Sequence, residues 1–464
     1  MSLESKPISA EELRAAVTGS KAFARLTALF DEGSMTEFDP LSVSEGKPAE
    51  VVAAFGTVNG VNTCAFAQNS AIAGGAISKV SAAKIIKVFD YALKVGAPVV
   101  GIYDSTGARL KQGAEMLSAI GEMLIRSNNL SGVVPQIAVI AGSCIGTTSL
   151  LASSADIVIC ADGASYGIDT TGINLSSKDA AENGTAHIIA KDDMDAVATA
   201  KNILALLPQN NLASPAVCEF AEPNVSAAAA AVQKINANKS AVADIIAGTV
   251  DADSFIELEK DFGKCVVTGL ATIAGTPVGV VVTGAIDEKQ LICRDGASKA
   301  ARFVRFCDAF SIPVVTFVNA SGFTSLREAS MMAHAYAEST TVQVSVITGA
   351  AYGSAYIALA GNSAGADFVL AWPSAVIAPL APETAAAVLY SEKFKGVKDQ
   401  KTARAEQVAE YKATLASPLA AAEGGYIQNV IAPENTRTEL ISVLSMLEGK
   451  RVTSHPKKHS NIQL

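Results

Sequence analysis

The chain has 464 residues, half of them apolar, with a formal net charge of −9. That apolar content supplies the cores of two or three domains and excludes a disordered chain. The acidic balance excludes a broad basic surface for nucleic acid or an anionic membrane as main partner.

The seven cysteines include no Cys-x-x-Cys pair, and the four histidines are dispersed. They suggest no metal site, and the cysteines read as small core residues of a reducing compartment rather than as disulfides. The start, Met1-Ser-Leu-Glu-Ser-Lys-Pro7, lacks the layout of a signal peptide. Apolar runs such as Pro277-Val-Gly-Val-Val-Val-Thr283 are interrupted well before the ~20 residues of a membrane span. The expected location is the cytoplasm.

Ser9-Ala-Glu-Glu12 is a capping box and predicts a short helix through Leu13 to Val17. A second helix, over 22–30, ends at Asp31-Glu-Gly-Ser34. From Val51 the pattern changes to short strands, and the Asn59-Gly60 turn between them predicts a hairpin of Val51–Val58 with Val61–Gln68. After the Gly74-Gly75 loop come a helix from Ser81 to Lys94, a buried strand over 97–104, the loop Ser105-Thr-Gly-Ala-Arg109 and a helix over 115–126. A strand over 136–140 leads into Ile140-Ala-Gly-Ser-Cys-Ile-Gly-Thr-Thr-Ser-Leu150, a glycine turn opening an apolar helix, and a strand over 156–160 follows. Strand and helix alternating at this interval predict right-handed β–α units on a largely parallel sheet. The chain is then polar and irregular to about Asp193, helical to Leu207, and polar again over 208–215. The Ala-rich tract to about Asn238 reads equally as an interdomain connection or as one more surface helix.

From there the pattern starts again. Ala54 and Gly269, Gly60 and Gly275, Lys84 and Lys299, Pro98 and Pro313, Asp104 and Asn319, and Gly107 and Gly322 pair at one offset (275 − 60 = 215). Past the loop the offset changes (349 − 142 = 207 and 353 − 146 = 207), so the glycine turn recurs as Ile347-Thr-Gly-Ala-Ala-Tyr-Gly-Ser-Ala-Tyr-Ile357. The chain therefore reads as a tandem duplication with a site shared between related halves. The expected boundaries are 1–215 and 241–464, joined by 216–240. Backbone N–H groups at such turns point at a helix N-terminus and favour a negative oxygen, so two copies are two candidate oxyanion holes.

Several segments, in their order and spacing, resemble a known family. They include Asp31-Glu-Gly-Ser34, Phe66-Ala-Gln68, Ala92-Leu-Lys-Val-Gly-Ala-Pro98, Asp104-Ser-Thr-Gly-Ala-Arg109, Leu206-Leu-Pro-Gln-Asn-Asn-Leu212, Lys299-Ala-Ala-Arg-Phe-Val-Arg-Phe-Cys-Asp-Ala-Phe310, Ala351-Tyr-Gly-Ser-Ala-Tyr-Ile357, Ala371-Trp-Pro373 and the tail Lys457-Lys-His-Ser-Asn-Ile-Gln-Leu464. The chain is similar to the carboxyltransferase subunits of biotin-dependent acyl-CoA carboxylases and sodium-pumping decarboxylases, most of all the propionyl-CoA carboxylase β and methylmalonyl-CoA decarboxylase α group. The resemblance implies an α/β chain built as a tandem duplication of a crotonase-like (ClpP/crotonase) β–α superhelical domain, assembled as a homo-oligomeric, hexameric ring. It implies an active site between the N-terminal half of one subunit, which binds the acyl-CoA thioester, and the C-terminal half of its neighbour, which binds biotin. The first oxyanion hole then falls at Gly146 and Thr147, with Thr106 and Gly107 on the neighbouring loop, and the second at Gly353, Ser354 and Ala355. The family usually has glycine at three positions that here hold Thr106, Thr147 and Ser354.

Transfer of a carboxyl group between biotin nitrogen and the carbon beside a thioester passes through an enolate and an enolate-like anion on biotin, both of which need oxyanion stabilisation. No side-chain nucleophile is required, which agrees with the lack of a Ser/His/Asp triad. Around the turns, Arg109 reads either as a cation steering a CoA phosphate or as a solvated helix face. Tyr352 and Tyr356 read as pocket walls or core packing, with Ile357 beside them on the substrate side. Lys299, Arg302 and Arg305, at helical spacing, read as charges that attract CoA phosphates or, preferably, as side chains that only cover a surface. A Met-Lys-Met biotinylation motif is absent from the sequence, so the resemblance implies biotin on a separate carboxyl carrier protein, with a biotin carboxylase or a membrane decarboxylase subunit as further partner. A crotonase-type hydratase or hydrolase, and a non-catalytic scaffold of a biotin complex, are the competing readings.

Overall fold

The computed structural model describes residues 9–168, 175–285, 290–394, 397–452 and 456–461. The start at 1–8, residues 169–174 of the irregular stretch before Asp193 and the last three residues of the tail lie outside them. The chain divides into two compact units, Met1–Ala216 and Val217–Leu464.

The first unit opens with α1 (Ala10–Thr18) and α2 (Lys21–Leu29), and Ser9 and Glu12 form the expected capping box. Its sheet contains β1 (Thr36–Phe38), β2 (Val51–Val58), β3 (Val61–Gln68), β4 (Val99–Ser105), β5 (Gln136–Ile145), β6 (Ile157–Ala161), β7 (Ser165–Gly167) and β8 (Ile188–Ala190). The spatial order is β1-β2-β3-β4-β5-β6-β8, with β7 paired to the far end of β5. The hairpin β2–β3 is antiparallel, Val58 facing Val61 across the Asn59-Gly60 turn, and from β3 to β8 the neighbours run parallel. Between the strands lie α3 (Lys79–Val95), α4 (Glu115–Leu130), α5 (Thr147–Ser153) and α6 (Asp193–Leu206). A core of Phe66, Ile85, Phe89, Ile120, Met123 and Ile140 fills the space between sheet and helices.

The second unit repeats this plan. It contains β9 (Ile256–Leu258), β10 (Val266–Ile273), β11 (Thr276–Thr283), β12 (Val314–Ala320), β13 (Gln343–Tyr352), β14 (Phe368–Ala371), β15 (Val376–Ala378) and β16 (Asn429–Val430). The order is β9-β10-β11-β12-β13-β14-β16, with β15 on β13, strand for strand that of the first sheet. The duplication expected from the spacing of the glycines is thus a duplication of topology. Its helices include α7 (Ala227–Asn236), α8 (Val242–Thr249), α9 (Arg294–Ala309), α10 (Leu326–Glu338), α11 (Ser354–Ala360), α12 (Pro382–Leu389), α13 (Gln400–Ala413) and α14 (Thr436–Leu447). Trp372, fully buried, anchors this core and donates from Nε1 to Thr436 Oγ1 at 3.0 Å.

Three local readings change. The tract 216–240, read as a connection or a surface helix, carries α7, which buries Ala228 and Ala231 in the core of the second unit. Alanines three apart share one helix face, and their small side chains let it pack close. The strand expected over 136–140 runs on to Ile145, because β7 pairs its far end through Ser143↔Ser165 and Ile145↔Gly167. Finally, Cys265 and Cys293, expected as free thiols, form a disulfide: Cys293 caps α9 where the helix passes the start of β10, with the two Cα atoms 6.3 Å apart. Among the described residues no helix is long and apolar enough to cross a membrane.

Candidate functional site

Each candidate turn is built by a strand that cannot continue straight. In the first unit β5 runs into Gly146, whose φ of +65° and ψ of −135° redirect the chain into α5. In the second, β13 runs into Gly353, at φ +46° and ψ −116°, and then α11. Such backbone angles are open to glycine and strained for other residues. Thr106, Thr147 and Ser354, expected as departures from glycine, lie outside the positive-φ region, so their side chains cost no backbone strain.

The hydrogen bonds correct the assignment of donors. Gly146 N–H, expected to face a ligand, donates to Gly167 O of β7 at 3.0 Å, and Gly353 N–H donates to Ala378 O of β15 at 2.9 Å. The loop donors are engaged as well: Thr106 N–H donates to Gly74 O at 3.0 Å, and Gly107 N–H to Ser105 Oγ at 3.1 Å. These glycines contribute conformation and anchorage. The N–H groups free of intrahelical acceptors are those of the first helical residues: Thr147 and Thr148 in one turn, Ser354 and Ala355 in the other. The two turns match in detail, since Thr147 and Ser354 are exposed while Thr148 and Ala355 are fully buried. The Thr148 hydroxyl is buried without a hydrogen-bond partner among the described residues. Thr148 was missed by sequence reasoning, although its place as second residue of the helix was a usable signal.

Arg109 is neither a free cation nor a solvated helix face. Its Nε and Nη2 donate to Glu50 Oε1 at 3.1 and 2.5 Å, and its Nη1 to Glu45 Oε2 at 3.1 Å. Glu50 is fully buried and also accepts from Ser78 and Ser81 at 2.7 and 2.5 Å. Burial alone pushes the Glu50 carboxyl up, and the bonds from Ser81, Ser78 and Arg109 outweigh it and hold the group below its ordinary range. The Arg109 backbone N–H reaches Ile77 O at 2.9 Å, so the residue fastens the loop that carries Thr106 and Gly107.

In the second unit Tyr352 is half-buried at the end of β13, its hydroxyl pushed up to about 12 by burial and by the nearby Glu383 carboxylate. Tyr356 donates from its hydroxyl to Tyr426 O at 2.8 Å, so that end of the ring is committed. Ile357, on the next position of α11, is 59% exposed and free to meet a ligand. Lys299 is buried rather than a surface side chain, and its Nζ donates to the carbonyls of Glu259 and Phe262 at 3.0 and 2.8 Å. Its counterpart Lys84 donates to Asp39 O at 3.2 Å, so both lysines hold a turn in place. A cleft of about 540 Å³ lies between α12 and α13, lined by Glu383, Ala386, Arg404 and Val408 among others, and includes none of the turn residues.

Comparisons with known proteins agree over nearly the whole chain. A family profile described as carboxyl transferase domain matches residues 19–462. The chain is 36% identical to the propionyl-CoA carboxylase beta chain of Saccharopolyspora erythraea, over 95% of this chain and 90% of that one. It is 33% identical to methylmalonyl-CoA decarboxylase subunit alpha of Veillonella parvula, over 95% and 92%. Among solved structures, transcarboxylase 12S, described as a hexamer assembly with hydrolysed methylmalonyl-coenzyme A bound, superposes with a TM-score of 0.89 at 32% identity, covering 97% of this chain and 95% of that one.

Proposed function

The chain belongs to the carboxyl transferase domain family, and on that premise we propose that it moves a carboxyl group between biotin and the α-carbon of a short acyl-CoA such as propionyl-, methylmalonyl-, acetyl- or malonyl-CoA. It is a biotin-dependent acyl-CoA carboxyltransferase made of two crotonase-like domains. The observation that carries the substrate roles is the pair of matching turns, each with two adjacent helix-start N–H groups and a glycine locked to a short strand, β7 or β15.

Biotin, when bound, brings the carboxyl group on a ring nitrogen and takes the place of a side-chain nucleophile. The protein's part is then electrostatic. The N–H groups of Thr147 and Thr148 would stabilise the thioester oxygen as it gains enolate charge, and those of Ser354 and Ala355 would hold biotin and stabilise the negative charge it gains. Donors fixed before the reaction need no reorganisation, and loss of one costs roughly 100-fold in kcat or more. The Gly146–Gly167 and Gly353–Ala378 bonds supply that rigidity. Arg109 and Glu50 hold the loop of Thr106 and Gly107 against the first turn. Tyr352, Tyr356 and Ile357 border the biotin side.

The biotin arrives on a separate carboxyl carrier protein, and a biotin carboxylase or a membrane decarboxylase subunit sets the direction of transfer. The protein works in a homo-oligomer, a hexamer, in which the first turn of one subunit is completed by the second turn of a neighbour. Leu110 and Leu326, after the Gly107 and Gly322 loops, are 93% and 87% exposed, and burial in such an assembly would remove that apolar surface from water. The test is loss of the carboxyl group from methylmalonyl-CoA or malonyl-CoA, followed by mass spectrometry with and without free biotin. Biotin-dependent loss supports the reading, biotin-independent turnover favours a crotonase-type hydrolase, and inertness with every acyl-CoA and a cognate carrier leaves a scaffold.

A further inference from the structure

The strand that feeds each turn is bent by the same device. Between β4 and β5 the register passes from Tyr103↔Ile140 to Ser105↔Cys144, so β5 advances four residues while β4 advances two (144 − 140 = 4; 105 − 103 = 2). Between β12 and β13 it passes from Val318↔Ile347 to Ala320↔Ala351, with the same count (351 − 347 = 4; 320 − 318 = 2). Bulges of this kind bend a strand and re-aim the residues beyond the bend. One residue stands opposite each bulge: Asp104 in the first sheet and Asn319 in the second.

Both residues press an oxygen into the space a side chain would need. A Cβ on Gly142 would lie 2.3 Å from Asp104 Oδ1, and one on Gly349 would lie 2.4 Å from Asn319 Oδ1. Each glycine stands four residues before the turn glycine (146 − 142 = 4; 353 − 349 = 4). The backbone N–H of Asp104 donates to Gln68 Oε1 at 3.1 Å, and that of Asn319 donates to Thr283 Oγ1 at 2.8 Å, the acceptors being the last residues of β3 and β11. The trio of acceptor, bulge residue and glycine has therefore been duplicated with the fold.

The two copies differ in charge. Asp104 Oδ2 accepts from Arg25 Nη1 at 3.0 Å and from Ser70 Oγ at 2.8 Å, and Arg25 Nε is bound in turn by Asp193 at the start of α6 at 2.8 Å. Asn319 is neutral and reaches the bulge directly, its Oδ1 accepting from Ala350 N–H at 2.9 Å. The sequence paired Asp104 with Asn319 by offset alone; Arg25 lies 79 residues upstream of Asp104, beyond any local pattern.

We propose that Asp104, held by Arg25, and Asn319 are the positioning residues of the two turns: each fixes the bulge whose exit direction aims the N–H groups of Thr147 and Thr148, or of Ser354 and Ala355. The proposal rests on the reading of the turns as oxyanion sites. Neither side chain is assigned a contact with substrate, so each acts through the backbone it holds. A misplacement near 1 Å at a reacting centre costs roughly 100-fold in rate.

The experiment compares wild type with Asp104→Ala, Asp104→Asn and Asn319→Ala, by biotin-dependent decarboxylation of malonyl-CoA and by hydrogen–deuterium exchange. Asp104→Ala is expected to lower kcat by about tenfold or more with KM within about threefold, and to raise exchange in the peptide 141–150 while leaving 348–357 as it was. Asn319→Ala is expected to do the converse for exchange. Asp104→Asn keeps an oxygen over Gly142, as the second copy does, and recovers most of the kcat and the protection. Unchanged kcat with unchanged exchange, or exchange raised evenly across the chain, would overturn the proposal. If one alanine variant does not fold, the other copy carries the same test. A wild type without biotin-dependent turnover sinks the carboxyltransferase reading, and the exchange pattern of the variants still decides the positioning role.

Discussion

Arg109 Nη2 lies 2.5 Å from Oε1 of the fully buried Glu50 carboxylate. Removing one partner of a buried ion pair leaves an uncompensated charge, at a cost of about 3–5 kcal/mol. Arg109→Ala is therefore expected to destabilise the protein by about 3 kcal/mol in chemical denaturation, and adding Glu50→Gln should recover part of that loss. A raised KM for CoA esters with unchanged stability would instead return Arg109 to the role of phosphate anchor.

The two turn glycines differ in what surrounds them. A Cβ on Gly146 would meet nothing within 4 Å, whereas one on Gly353 would lie 2.8 Å from Pro379 O. Gly146→Ala should cost only backbone strain, roughly 1–3 kcal/mol. Gly353→Ala adds a clash with backbone, a further cost of roughly 1–3 kcal/mol. Thermal unfolding of both variants checks the order, and equal losses would contradict the geometry.

Asp31 gives the fold a dependence on acid. Its carboxylate accepts N–H bonds from Gly60 at 2.8 Å and Asn59 at 3.0 Å, and from Lys201 Nζ at 3.1 Å. The Gly60 bond leads in bringing its pKa from 3.8 down to about 2. A carboxylate depressed on folding contributes stability above its unfolded pKa and loses it as pH falls through the folded one. Stability should therefore decline between about pH 4 and pH 2, and less steeply in Asp31→Asn, which is also the weaker protein at neutral pH. Identical slopes in acid denaturation would refute the assignment.

Cys265 and Cys293 are joined, which leaves five of the seven cysteines outside the disulfide (7 − 2 = 5). Thiol titration of the denatured, unreduced chain should count five groups, and seven after reduction. Loss of the bond in Cys265→Ser should lower stability by up to about 3 kcal/mol. Seven thiols before reduction would return both residues to the class of simple core cysteines.

The duplication was legible because glycine and proline mark backbone needs that both copies share: Gly60 and Gly275 at hairpin turns, Gly146 and Gly353 at the strand exits. The strands around them were legible from their apolar runs. The donors of the site were only half legible. Gly146 and Gly353 are spent on β7 and β15, short strands that arrive later in the chain and leave little periodicity to read. Arg109 was misread for a similar reason, since its partner Glu50 lies 59 residues away and a lone arginine beside a glycine loop looks exposed. Lys299 looked like surface because charge suggests solvent, yet its long stem lets the ammonium reach two carbonyls from a buried position.

We propose that the two turns serve one carboxyl transfer with biotin as acceptor. It is tested most directly by incubating the purified protein with methylmalonyl-CoA or malonyl-CoA carrying a ¹³C-labelled carboxyl group and following the CoA esters by mass spectrometry, with and without biotin. Propionyl-CoA or acetyl-CoA should accumulate only when biotin is present, and more slowly in Ser354→Pro, which removes a donor N–H. Turnover at the same rate without biotin would contradict it.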